Sequence, residues 1–302
     1  MTVQQDNPVD KHKVRRAFSK AASSYDQVAV LQREIGERML ERLDYIRCEP
    51  QVILDAGAGT GYCSDCLLKR YKKARVISLD FALPMLHQAG RQGRWLRRPS
   101  CVCGDIEQLP LADQSVDMVF SNVAIQWCNQ LENVFSEFLR VLKPEGLLMF
   151  STFGVDTLKE LRQAWSEIDG YSHTSDFKDM HDIGDAMVHA RFADPVIDAE
   201  RMTLTYQQVS DLFKDLKMLG AQNASANRQR GMMGKGRWSA MQQAYEKHRD
   251  ADGRLPASYE VVYGHAWRPQ KLKMVQSSGA EEYQVPVDLL RQSVRKGPAG
   301  KS

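Results

Sequence analysis

The stretch Ile53-Leu54-Asp55-Ala56-Gly57-Ala58-Gly59-Thr60-Gly61-Tyr62 runs an apolar strand pattern straight into three alternating glycines and then a helical pattern. Glycines at that spacing let the backbone turn sharply and approach a ligand where a Cβ would collide. A lone glycine-rich loop is weak evidence of a site. Its neighbours strengthen it. From residue 51 to 153, short apolar runs at Val52–Leu54, Arg75–Leu79, Ser100–Cys103, Val116–Phe120 and Leu147–Phe150 alternate with helical patterns. That alternation predicts an α/β fold of five parallel strands with helices on both faces. Before the fifth strand, Leu131, Val134, Phe135, Phe138, Leu139 and Leu142 recur at helical spacing, and Lys143-Pro144-Glu145-Gly146 is expected to close that helix with a turn.

The residues at the strand ends predict a ligand. Asp80 ends the second strand, and Gly104-Asp105-Ile106 follows the third. A dinucleotide site would carry Gly-x-Gly-x-x-Gly, whereas this loop is Gly57-x-Gly59-x-Gly61, with Asp55 two residues ahead of it. An acid beside the loop would repel a pyrophosphate but receive an ammonium, directly or through water. Asp80 can accept from ribose hydroxyls, following the usual logic of an acid at the second strand end. Asp105 can accept an amino hydrogen from a purine, with Ile106 against the purine's face. Ammonium, ribose and adenine together describe S-adenosylmethionine.

Outward from this core, Val14 to Leu43 reads as helices, with Ala17, Phe18, Ala21 and Ala22 on one face and Leu31, Ile35, Met39, Leu40 and Leu43 on another. Downstream, helices are expected over 157–168, 180–192 and 207–219, an extended run over 196–204 and a strand over 259–267, so that the sheet gains two edge strands. From Lys271 to Ser302, six basic side chains against three acidic ones, with Ser, Gly and Pro, predict a mobile tail.

Composition narrows the classes. The chain has 302 residues, 43% hydrophobic and 26% charged, which suits a globular protein and excludes collagen-like or wholly disordered chains. A net charge of +3 makes neither nucleic acid nor an anionic membrane the default partner. No apolar run is long enough for a membrane span and the opening residues lack a signal-peptide core, so a cytoplasmic location is expected. The basic residues are local: Lys11 to Lys20 carries +5 and Asn223 to Tyr245 carries +4, each without an acid. Cys63-x-x-Cys66 with Cys101-x-Cys103 could offer four sulfurs, but the knuckle turn of a zinc site is missing. Small buried core residues and no metal are expected there. The seven histidines form no triad-like pattern, and none lies beside the fourth strand, so no catalytic base is expected.

The segment from Gln51 to Phe153 resembles a class I S-adenosylmethionine-dependent methyltransferase. Three further stretches carry a narrower likeness: Phe18-Ser19-Lys20-Ala21-Ala22-Ser23-Ser24-Tyr25-Asp26, Ser121-Asn122-Val123-Ala124-Ile125-Gln126-Trp127 and Leu216-Lys217-Met218-Leu219-Gly220-Ala221-Gln222-Asn223. With these, residues 14 to 268 resemble the malonyl-acyl carrier protein O-methyltransferases of biotin synthesis.

The resemblance implies a Rossmann-like seven-stranded, mostly parallel sheet (residues 46–268, with an insertion at about 155–195), a helical lid over 1–45 and a basic tail over 269–302. It implies that S-adenosylmethionine is held by Asp55, Gly57, Gly59, Gly61, Asp80, Phe81, Asp105, Ile106 and Asn122. The substrate would meet Tyr25, Gln126, Trp127, Arg228 and Arg230. That substrate would be malonyl on acyl carrier protein, or malonyl-coenzyme A. An ionised carboxylate needs orientation and no general base. Two other readings use the same cofactor: methylation of RNA or of another small molecule, and a non-methylating assembly factor.

Overall fold

The computed structural model describes residues 8–93, 95–171, 173–221, 234–270, 275–277 and 280–282. In chain order the elements are α1 (Lys11–Ala21), α2 (Tyr25–Val28), α3 (Val30–Arg42), β1 (Val52–Ala56), α4 (Tyr62–Arg70), β2 (Arg75–Asp80), α5 (Leu83–Ala89), β3 (Ser100–Cys103) and β4 (Val116–Asn122). Then come α6 (Leu131–Val141), β5 (Leu142–Phe153), α7 (Lys159–Ser166), α8 (Met180–His189), β6 (Ala193–Tyr206), α9 (Val209–Met218), α10 (Lys235–Glu246) and β7 (Leu255–Trp267). One sheet joins the seven strands in the order β3-β2-β1-β4-β5-β7-β6. The first five are parallel and β7 is antiparallel to both its neighbours.

Adjacent strand residues part company. Ile53, Val76, Met118, Leu147, Met149 and Val261 bury in one apolar cluster with α3, α4, α7 and α10. Their neighbours Leu54, Ile77, Val119, Leu148, Phe150 and Val262 bury in another with α6 and α8. Side chains alternate along a strand, so continuous apolar runs are what a sheet covered on both faces requires. The N-terminal helices belong to this packing. Leu31, Ile35, Met39 and Leu43 are buried in the first cluster, and Arg42 meets Asp198 on β6 through two bonds of 2.8 Å.

Two expectations need correction, and one segment gains a structure that its basic run did not announce. Lys143-Pro144-Glu145-Gly146 does not precede the fifth strand but bulges within it, because Leu142 already pairs with Val116 before the register jumps to Leu147 with Met118. Cys101 and Cys103 are exposed, since β3 is the edge of the sheet; Cys63 is buried and Cys66 half-buried, as expected of α4. Residues 235–246 form a helix, where only a basic run was read.

Most of the expected tail lies outside the described residues; within it β8 (Val275–Ser277) and β9 (Ala280–Glu282) pair antiparallel. Among the described residues no helix is long and apolar enough to cross a membrane.

The ladder between β5 and β7 depends on one close approach. A Cβ on Gly264 would sit 2.3 Å from the ring of Phe150, the residue it faces across the strands. Gly264→Ala should therefore overpack the core and lower stability by about 1–3 kcal/mol. Urea unfolding checks this: a lower midpoint at unchanged slope is expected, and an unchanged midpoint would mean that the ring has room to move.

Candidate active site

The carboxyl ends of β1 to β4 meet where the chain reverses its strand order, between β1 and β4, the place where open α/β sheets bind ligands. At this point the backbone of Gly57 is left-handed (φ +78°), and a Cβ on it would lie 2.3 Å from the Cβ of Ala124, just past β4. The Gly57 and Ala58 amides donate to the carbonyl of Leu79 at 2.8 and 2.9 Å. Asp80 then ties the loop to the next helix, accepting from Gly59 N–H at 3.0 Å and Ala82 N–H at 2.8 Å. Burial pushes the Asp80 carboxyl up to about 6, against the lowering effect of those amides. Asp55 is buried as well and accepts from the Ser64 hydroxyl at 2.5 Å. Burial raises it to about 7, and the nearby Asp80 charge adds to the rise.

The helices α1 to α3 form the opposite wall of this crevice. Thr60 in the loop donates to Asp26 at 2.6 Å. Phe18 sits among three rings, with Trp127 edge-on at 5.5 Å, Phe81 at 6.3 Å and Tyr25 at 6.4 Å. Lys11 donates to Asp105 at 2.5 Å and also pairs with Glu107, whose amide donates to the other Asp105 oxygen at 3.0 Å. The Tyr25 phenol is pushed above its ordinary value, first by burial and then by Asp80, so it stays protonated at neutral pH. Val123 carries φ +50°, a strained backbone for a β-branched residue, held by bonds from its amide to Ser151 O (3.1 Å) and Oγ (3.0 Å).

Asp80, Phe81, Asp105, Ile106, Gly57, Gly59, Tyr25, Asn122 and Trp127 line one part of the crevice, and Asp55 lines the adjoining part with Tyr25, Gly57, Gly59 and Asn122. Gly61 is not on either lining. It caps α4, where a Cβ would meet Ala89 Cα at 2.7 Å, so its glycine serves packing. Asn122 reaches the crevice, yet its amide donates to Gln32 O and accepts from Ser151, both at 2.8 Å. Gln126 is similarly engaged, donating to Val123 O at 2.7 Å and accepting from Thr152 at 3.3 Å. Arg228 and Arg230 lie outside the described residues.

Two residues on these walls and one in a neighbouring cavity were not among the expected site residues. Lys11 is one. Arg33 lines the crevice beside Asp55 with a buried Nε that has no partner, while its Nη2 donates to Asp26 O at 2.7 Å. His173 is the third, stacked on Trp165 with ring centres 3.7 Å apart and bonded through Nε2 to Asp169 at 2.8 Å. The spacing of Asp169 and His173, one helical turn apart, was the only visible signal.

Trp165 and His173 belong to a second, larger cavity of about 900 Å³. Its walls are mostly apolar, with Phe153, Leu161, Phe177 and Phe213 among them, and Lys13 and Lys217 also line it. Trp127 lines both this cavity and the Asp80 part of the crevice; Gln32 lines both this cavity and the Asp55 part. Trp127 and Gln32 are thus walls that the crevice and the large cavity share.

A family model described as a methyltransferase domain matches residues 54–150. A malonyl-[acyl-carrier protein] O-methyltransferase of Gallionella capsiferriformans is 54% identical over 267 residues, covering 86% of this chain and 92% of that protein. The chain belongs to the malonyl-[acyl-carrier protein] O-methyltransferase family. A second member, from Laribacter hongkongensis, is 55% identical over 269 residues, covering 86% of this chain and 90% of its own. Among solved structures, a putative methyltransferase from Bacillus halodurans shares the fold at 17% identity and a TM-score of 0.56, covering 78% of this chain and 99% of that one. The YcgJ protein of Bacillus subtilis does so at 14% and 0.55, covering 77% and 98%. These two likenesses speak for the class I methyltransferase fold alone.

The cofactor of this family is S-adenosylmethionine, and the crevice fits it. A Cβ would fill the approach at Gly57, the raised Asp80 carboxyl faces the open space, and the orphaned Arg33 Nε waits beside Asp55. A ribose hydroxyl donates to an ionised carboxylate better than to a neutral acid. Since Asp80 in the free protein titrates near 6, affinity for S-adenosylhomocysteine should fall about tenfold from pH 7.5 to pH 5 on this group alone. Calorimetry at the two pH values measures it. Equal affinities in a folded protein would take the ribose off Asp80.

Proposed function

We propose that this protein transfers the methyl group of S-adenosylmethionine to the free carboxylate of malonyl on acyl carrier protein, giving the methyl ester and S-adenosylhomocysteine. The observation that carries this reading is the large, mostly apolar cavity that shares the walls Trp127 and Gln32 with the cofactor crevice. Such a space suits an acyl thioester on a long flexible arm.

In this reading Asp80 accepts from the ribose hydroxyls, and Asp105 with Ile106 receives the adenine. Asp105 is shared with Lys11, so α1 and the adenine are read by the same carboxylate. Asp55 faces the ammonium of the cofactor's amino-acid end, and Arg33 faces its carboxylate. When bound, the cofactor supplies an activated methyl on a sulfonium. The chain supplies placement, which for an in-line displacement means holding the acceptor oxygen about 3 Å from that methyl.

No deprotonation is required, because a carboxylate with an ordinary value near 4 is already ionised at neutral pH. Tyr25 remains a phenol and cannot act as a base, but it can exclude water and donate a hydrogen bond. Residues 1–45 are read as the lid that does so. Along the mouth, Lys13 and Lys217 suit the phosphate of the carrier's prosthetic group, and the exposed Arg15, Arg16 and Lys20 on α1 suit the acidic face of a carrier. Masking the carboxylate as an ester removes a charge that is costly to bury, which lets enzymes with apolar tunnels extend the chain. The product thus feeds fatty-acid elongation toward biotin.

The purified protein, methyl-labelled S-adenosylmethionine and three acceptors test the reading: malonyl-carrier, malonyl-coenzyme A and RNA. Base-labile label on malonyl-carrier is expected, with kcat within about twofold between pH 7.5 and 9 because no base titrates there. Label on RNA alone, or a log-linear rise of kcat through pH 8.5, would point to an acceptor that must be deprotonated.

A further inference from the structure

Gln32, on the wall that the crevice and the large cavity share, has a side chain that makes no hydrogen bond among the described residues. Gln32 is fixed in place by its backbone: its carbonyl accepts from Asn122 at 2.8 Å, and Asn122 is in turn held by Ser151 at 2.8 Å. Its side-chain amide oxygen is buried and has no hydrogen-bond partner. An orphaned amide oxygen calls for a donor, which a carboxylate cannot supply, but no hydrogen bond among the described residues holds the Gln32 nitrogen either, so the amide is able to present its N–H to a bound acceptor. Two carboxamides nearby, Gln126 and Asn122, are already engaged at both ends. Trp127, the second residue shared by the two spaces, offers a ring and one N–H.

We propose that Gln32 orients the acceptor, its side-chain amide N–H holding the carboxylate of the acyl substrate at the wall that the two cavities share. This rests on the function proposed above. A carboxamide suits the task for two reasons. Its oxygen and nitrogen are nearly isosteric, and because the oxygen makes no bond here, a half-turn of the amide exchanges them without breaking a contact to it. A neutral donor also fixes the carboxylate without cancelling the negative charge that attacks the methyl. A lysine or arginine at the same point would bind the carboxylate more tightly in the ground state and leave it a poorer nucleophile. The cations lining the large cavity, Lys13 and Lys217, come from α1 and α9, and Gln32 comes from α3.

Two near-isosteric variants separate this role from packing. Gln32→Glu keeps the shape and sets a like charge against the acceptor; Gln32→Leu removes the N–H and adds no charge. At pH 8.5, Gln32→Glu should raise KM for malonyl-carrier tenfold or more, and Gln32→Leu should raise it by a clearly smaller factor. Affinity for S-adenosylhomocysteine should stay within threefold of the unaltered protein in both. Inhibition by the methyl-ester product, which carries no charge, should be the same in Gln32→Glu as in Gln32→Leu. Equal KM values for the two variants would overturn the role of Gln32 while leaving the function standing. Failure of the unaltered protein to methylate malonyl-carrier would overturn the functional reading, and the assignment of Gln32 with it.

Discussion

Gly57 and Ala124 approach so closely that no side-chain carbon fits between them, and the site is built around that contact. It joins the loop after β1 to the turn after β4 at the point where the strand order reverses. A left-handed backbone at Gly57 is the condition for it, since other residues resist that conformation. On one side of the contact the loop amides reach Leu79 and Asp80, which fixes β2 and the start of α5. On the other side the chain leaves β4 through the strained Val123 and sets Trp127 on the border of both cavities.

The N-terminal helices complete the enclosure without contributing to the sheet. Polar contacts tie them along their length, among them Lys11 on Asp105, Asp26 on the glycine loop, Gln32 on Asn122, and Arg42 on Asp198 at the far edge. Exposed ion pairs and single hydrogen bonds contribute modestly, so most of the hold comes from Leu31, Ile35, Met39 and Leu43 in the core. The consequence is a wall that is firm at α3 and lighter toward α1, where Lys11 shares Asp105 with whatever occupies the crevice.

Much of this was legible in the sequence, for a physical reason. A parallel sheet covered on both faces writes itself as continuous apolar runs, and the split of Ile53 from Leu54 or Met149 from Phe150 between two cores follows from strand geometry alone. The glycine loop and Asp80 were readable because a close backbone approach leaves glycine few substitutes. What stayed hidden depends on packing between distant segments. Trp165, His173 and Phe213 share a cavity although scattered over some fifty residues of chain, and no local pattern announces that. Asn122 and Gln126 looked equally available, and only their bonds to Gln32, Ser151, Val123 and Thr152 distinguish them from the unengaged amide of Gln32. Cys101 and Cys103 read as core until β3 proved to be an edge.

In the proposed reaction the methyl passes directly from the sulfonium to the acceptor carboxylate, with no protein group carrying it between them. Two thiols line the crevice, Cys63 and Cys128, and burial pushes both well above their ordinary value, so they stay protonated and unreactive. Stereochemistry tests the claim most directly. With S-adenosylmethionine made chiral at the methyl by hydrogen, deuterium and tritium, the malonyl methyl ester should form with inversion of the methyl configuration, as a single in-line displacement requires. Retention would mean two displacements through a methylated side chain, and would contradict the account.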